Sequence, residues 1–140
     1  MKKQFILFIA VIFTLAMVSS AYAGKCPQPR KTKSAPGGIS KKDNTAKANK
    51  ANGKALYQKK SKPMACKMCH GAKGGGDGKL GKALKPAPRD FTCKKTMKKV
   101  SAGQMFWIIK KGSKGTGMAP MKLKDKEIWD VVKYIREDLM

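Results

Sequence analysis

The chain has 140 residues, enough for one domain, and sets 32 Lys and Arg against 8 Asp and Glu with a single His, a formal charge of +24. That balance excludes a large self-supporting core: a small chain with strong self-repulsion needs a covalent cofactor, a metal or a disulfide to help hold it together. One histidine, no paired carboxylates and no nucleophile beside a base also leave no ordinary acid–base machinery, so the chain is not expected to be an enzyme of that kind.

Lys2 and Lys3 precede an apolar run of 14 residues from Phe5 to Val18, broken only by Thr14, and Ala21-Tyr22-Ala23 gives a small-x-small pattern before Gly24. Residues 1–23 therefore read as a cleaved secretory signal, since the run falls short of the ~20 apolar residues of a membrane span. Without Lys2 and Lys3 the remainder still carries +22. An exported chain of this charge is expected to meet an acidic protein, or an anionic membrane surface, rather than nucleic acid.

Residues 24–44 are rich in Pro, Gly, Ser and Lys without an apolar period, which predicts a basic, disordered, extended tail ahead of a domain at 45–140. From about Thr45 to Lys60 the pattern is helical, with Ala48, Ala51, Ala55 and Leu56 on one face and Tyr57 at its margin, and Pro63 bars continuation. Cys66-Lys67-Met68-Cys69-His70 comes next, followed by a glycine-rich stretch from Gly71 to Lys85, after which Pro86 and Pro88 favour extended backbone. Ser101 and Gln104 form a capping box for a helix that Gly112 ends, with Met105, Ile108 and Ile109 as its buried stripe beside Phe106 and Trp107. The loop KGTGMAPMKL, from Lys114 to Leu123, holds Met118 and Met121. A last helix from about Asp125 gathers Ile128, Val131, Val132, Ile135 and Leu139 on one face, and five of the eight acids lie between Asp125 and Asp138. With no strand-like alternation of useful length, the fold class is all-α with substantial loops.

The run from Cys66 to His70 points to specific chemistry. Two cysteines two residues apart can form thioethers with the two vinyl groups of haem, and an adjacent histidine reaches the iron from one face. The rival readings are a redox dithiol, a zinc site using Cys26, Cys66, Cys69 and Cys93, and a disulfide between Cys66 and Cys69. Export, the helical pattern and His70 together favour covalent haem. His70 is the only histidine, so the other axial position falls to Met, Lys, water or nothing. Met64 and Met68 lie too close to the motif, Met105 reads as helix core and Met97 has no supporting pattern, which leaves Met118 and Met121.

From Ala51 to Asp138 the chain resembles the class I cytochromes c, through GKALYQKK, CHGAKGGGDG, LKPAPRDFT, FWIIKKG and EIWDVVKYIRE. The resemblance implies three to five helices with glycine- and proline-rich loops wrapped around one haem c, attached through Cys66 and Cys69 with His70 on the iron. It implies that Gly53 and Tyr57 cross the last helix near Ile128, Val131 and Ile135. It also puts Met118 of GTGM on the iron and Met121 at a neighbouring covering position, a placement that flanking glycines and Pro120 suit. A carbonyl near Pro86 or Pro88 is expected to accept from His70, with Arg89 and Trp107 as candidate partners of the haem propionates. One departure from the family pattern is the longer link Ser61-Lys62-Pro63-Met64-Ala65.

His and Met ligation closes both axial positions and favours electron transfer. The implied function is a monomeric, periplasmic, single-electron carrier that docks on an acidic redox partner. The alternatives are a haem enzyme or gas sensor with a labile or open sixth position, and a haem-free basic protein. Cys26 and Cys93 stand outside the motif; a disulfide between them would pin the tail to the body, with interchain pairing or free thiols as alternatives.

Overall fold

The computed structural model describes residues 26–28 and 32–140, so the expected signal at 1–23 lies outside the described residues. The helices are α1 (Gly37–Ser40), α2 (Lys50–Ala55), α3 (Lys67–His70), α4 (Lys94–Met97), α5 (Ala102–Lys111) and α6 (Asp125–Tyr134). Short 3-10 turns cover Thr45–Lys47 and Gly81–Ala83, while α2 and α6 each run on into a π turn, Leu56–Lys60 and Ile135–Leu139. No strand occurs among the described residues, in keeping with the all-α expectation. Of the six helices among the described residues, three are single turns of four residues, so the frame is α2, α5 and α6.

The predicted helix from Thr45 breaks at Ala48, which is extended (φ −85°, ψ 153°). It restarts because Asn49 accepts from the Asn52 N–H at 3.0 Å, the usual capping geometry. Asp130 of α6 reinforces that start, accepting from Asn49 N at 2.7 Å and from Asn52 Nδ2 at 2.8 Å. The buried face is therefore Gly53, Leu56 and Tyr57, and Ala51, expected inside, is exposed.

At Gly53 the two helices touch backbone to backbone: a Cβ there would run into the Asp130 carbonyl. This is the crossing that the resemblance implied. Ile128, Val131 and Val132 of α6 are fully enclosed at 0 % exposure, and Trp129 stacks on Phe106 of α5 with ring centroids 4.5 Å apart. Burying such side chains contributes about 1.5–3 kcal/mol each relative to exposure, the main term holding α2, α5 and α6 together.

Residues 26–28 and 32–44, within the segment expected to be a disordered tail, are packed or bonded to the body at several points. Ala35 is buried, its N–H donating to Gln104 Oε1 at 2.6 Å, and Gln104 Nε2 donates back to the Lys33 carbonyl at 2.9 Å. Ser101 Oγ reaches the Ser40 carbonyl at 2.7 Å, and the Ile39 carbonyl lies against Gly103. Only half of the expected capping box forms: Ser101 accepts from Gln104 N at 3.1 Å, but the glutamine side chain turns to this strap instead of back to Ser101. Cys26 and Cys93 are joined in a disulfide with Cα atoms 5.7 Å apart, so the intramolecular pairing is the one that forms. Ordering a basic segment costs entropy, and these bonds together with the cross-link offset it.

Candidate functional site

A cleft opens between α3, the loops around Pro88 and Met118, and the core faces of α5 and α6, lined by Leu84, Pro86, Ile109, Val131 and Ile135 among mostly apolar groups. The helical turn α3 places Cys66 and Cys69 one turn apart, with His70 N bonded to the Cys66 carbonyl at 2.9 Å, and all three residues line the cleft. Two glycines let the next loop press against this turn: Gly78 N donates to the Cys69 carbonyl at 3.1 Å, and a Cβ on Gly81 would strike that same carbonyl.

Both thiols are unpaired. Burial pushes Cys66 well up from the ordinary thiol range, partly opposed by the Ser61 hydroxyl 3.9 Å away, and burial pushes Cys69 up as well. Thiols held protonated are poor redox nucleophiles, which argues against the dithiol reading. The zinc reading loses two of its four thiols to the Cys26–Cys93 bond, and no group of three or more His, Cys, Asp or Glu side chains suited to a metal ion occurs among the described residues.

Two contacts hold the His70 ring. Its Nδ1 lies 3.0 Å from the Arg89 carbonyl, which can only accept, so Nδ1 carries the proton and Nε2 keeps its lone pair. The ring stacks on Phe91 at 4.6 Å and 16°. Burial holds the imidazole below its ordinary pKa; the hydrogen bond to Arg89 opposes this and the Arg89 charge adds to it, so the ring is a neutral base. The expected carbonyl thus belongs to Arg89, directly after Pro88. Around the motif, Phe91 N donates to the Gly74 carbonyl at 2.7 Å, and the buried Tyr57 hydroxyl donates to the Gly71 carbonyl at 2.8 Å. Gly71, at φ +80°, makes the left-handed exit that a side chain would resist.

A separate loop brings the thioethers. Gly112 ends α5 at φ +70° where a Cβ would meet the Met118 carbonyl, and Ser113 N donates to that carbonyl at 2.8 Å. Thr116 Oγ1 bridges Ser113 O at 2.7 Å and Met118 N at 3.1 Å. Met121 N donates to Ile109 O at 3.0 Å, and Lys122 N to Lys62 O at 2.9 Å, so the long 61–65 link serves as a rail for this loop. Ser61 anchors the rail, buried and bonded to the Leu56 carbonyl at 2.9 Å.

Met118 and Met121 both line the cleft, each half-buried, and so do Met64, Met97 and Met105. Met97 is 1 % exposed on a four-residue helix among lysines; so short an element has no apolar period to flag it. Arg89 lines the cleft as expected, whereas Trp107 lies outside it with the Lys111 ammonium 5.7 Å from its ring centroid. Gln28, within the segment expected to be a disordered tail, reaches this site through Pro88, Arg89 and Asp90. Two free thiols one turn apart, a neutral imidazole presenting Nε2 and thioethers from another element form the donor set that a c-type haem requires, in a cleft of matching apolar character.

Residues 50–137 match the family model described as cytochrome c, more than half of the chain. No curated protein matches. Among solved structures, a chain of the reducing HAO-like protein complex of Kuenenia stuttgartiensis is similar, with a TM-score of 0.51 and 26 % identity. The similarity covers 64 % of this chain and 42 % of that chain, so the present protein spans about two fifths of its neighbour's length.

Proposed function

The chain belongs to the cytochrome c family, whose members carry covalently bound haem c and transfer electrons, and on that basis we propose a monohaem, single-electron carrier of the periplasm with His70 and Met118 as axial ligands. The observation that carries the reading is the setting of His70, fixed through Nδ1 by the Arg89 carbonyl and adjacent to two unpaired thiols. When bound, the haem supplies one-electron redox chemistry. Cys66 and Cys69 would hold it covalently, His70 and Met118 would ligate the iron, and the apolar lining would exclude water. A soft thioether stabilises ferrous iron and raises the potential relative to two imidazoles, and with both axial positions filled, small molecules do not compete for the metal.

The basic surface is assigned to docking. At +22 without residues 1–23, the carrier is steered to an acidic redox partner through a small, transient interface. Sedimentation with anionic liposomes tests the alternative, attachment to a membrane surface.

A pyridine haemochrome spectrum tests for the covalent haem. The ligand is tested in the ferric protein: a weak far-red sulfur-to-iron band is expected, lost in Met118→Ala and kept in Met121→Ala. The reverse pattern would move the assignment to Met121. The neighbouring structure is a chain of a protein complex, and a second reading places this chain in such an assembly, with an open or labile sixth position. Rapid carbon monoxide binding by the ferrous protein at neutral pH would support that reading over the carrier.

A further inference from the structure

Among the described residues of the N-terminal segment, Gln28 touches the histidine's support. Gln28 stands two positions after Cys26, and its Nε2 donates to the Pro88 carbonyl at 3.0 Å. Its Oε1 accepts from Asp90 N at 3.0 Å and from Arg89 Nη1 at 3.2 Å, and its own N–H donates to Thr96 Oγ1 at 3.1 Å. One side chain thus grips three consecutive residues, and the middle one, Arg89, offers the carbonyl that His70 uses. On the far side the loop is fixed independently. Asp90, 5 % exposed, folds its Oδ1 onto Thr92 N at 2.8 Å and Thr92 Oγ1 at 2.6 Å, and Phe91 is tied to Gly74. Anchoring the strap does not require this grip, because the Cys26–Cys93 bond and Gln104 already hold it at two places.

We infer that Gln28 is a positioning residue for His70: by fixing Pro88 and Asp90 it sets where the Arg89 carbonyl lies, and so how strongly the imidazole Nδ1–H is held. The inference rests on the reading of His70 as a haem ligand. A strongly held Nδ1–H gives the ring imidazolate character, which makes it a better donor and favours ferric iron; a loosened carbonyl does the opposite. The N-terminal strap therefore tunes the redox balance of the site, through a residue that supplies no ligand.

The test uses the complete haem-loaded protein in four forms: unmodified, Gln28→Ala, Gln28→Glu and Ser101→Ala. Ser101→Ala frees the N-terminal segment at Ser40 without touching the 88–90 loop or the cleft, so it reports what a merely structural loss does. Two readouts are taken: solvent exchange of the His70 Nδ1 proton by NMR in the ferrous state, and the midpoint potential. Gln28→Ala is expected to speed the exchange about tenfold or more, since the bond opens more often. It should also shift the equilibrium towards ferrous by about two- to tenfold, the range for weakening one hydrogen bond. Ser101→Ala should change neither, and Gln28→Glu, which keeps the acceptor for Arg89 and Asp90, should retain slow exchange. Exchange and potential unmoved by Gln28→Ala, or moved equally by Ser101→Ala, would overturn the inference. Absence of any ligated-imidazole Nδ1–H resonance in the unmodified protein overturns the ligation reading and this inference with it. A normal resonance that ignores Gln28 overturns this inference alone.

Discussion

Tyr57 shows how much one residue carries at this site. It is fully buried, its ring meets Phe91 edge-on at 6.5 Å and Tyr134 at 5.4 Å, and its hydroxyl satisfies the carbonyl of Gly71, the residue after His70. Burial raises the phenol pKa far above its ordinary value, so the hydroxyl stays a neutral donor across any practical pH. Tyr57→Phe keeps the ring packing but removes one of the two hydrogen bonds to the Gly71 carbonyl, which still accepts from Gly74 N at 3.2 Å, and should cost about 0.5–1.5 kcal/mol. A denaturant midpoint measured on the haem-loaded protein checks this, and an unchanged midpoint would show the bond to be dispensable. Cys66, Cys69 and His70 were legible as one group because they are neighbours in the sequence. The Arg89 carbonyl was legible only as a neighbourhood around Pro88, because backbone acceptors carry no side-chain signature.

The elements α2 and α6 meet by backbone contact where they cross. A Cβ at Gly53 would occupy the space of the Asp130 carbonyl, so Gly53→Ala must force the helices apart and should destabilise by about 2–4 kcal/mol. Gly38, in α1, faces open space, with nothing within 4 Å of where an alanine methyl would sit, and Gly38→Ala should leave stability within about 0.5 kcal/mol, or raise it slightly through better helix propensity. Parallel melting of the two variants checks the contrast; equal effects would mean that the crossing tolerates separation. The α5 start at Ser101, the Gly112 stop and the buried stripe of α6 were all legible, since caps and periodicity are local. The true start of α2 was not. It depends on Asp130, 81 residues from Asn49, a carboxylate that reads as ordinary helix surface until the fold buries it at 2 % exposure.

Across the molecule, charge governs encounter and cross-links govern shape. The acids that do pair with lysines sit mostly on the surface, as in Lys50 with Asp138 at 3.0 Å and Lys110 with Asp125 at 2.7 Å, and such exposed pairs add little stability. The excess positive charge acts instead on approach. Association with an acidic redox partner should slow about tenfold or more between about 0.01 M and 0.15 M salt, as the screening length falls from about 30 to 8 Å. Stopped-flow electron transfer across that range measures it, and a flat profile would remove the docking proposal. The all-α class, the family and the Cys66–Cys69–His70 constellation can be read from the chain alone, because spacing, capping and periodicity are written within a few neighbouring residues. Folding in three dimensions was needed to establish that the basic N-terminal segment straps the body, that Gln28 and Arg89 stand behind His70, and that Met97 joins Met118 and Met121 on the cleft wall. Those outcomes depend on packing and on hydrogen bonds between distant residues, such as Gln28 with Pro88 at a separation of 60, and no local pattern encodes which remote partner a flexible segment will meet.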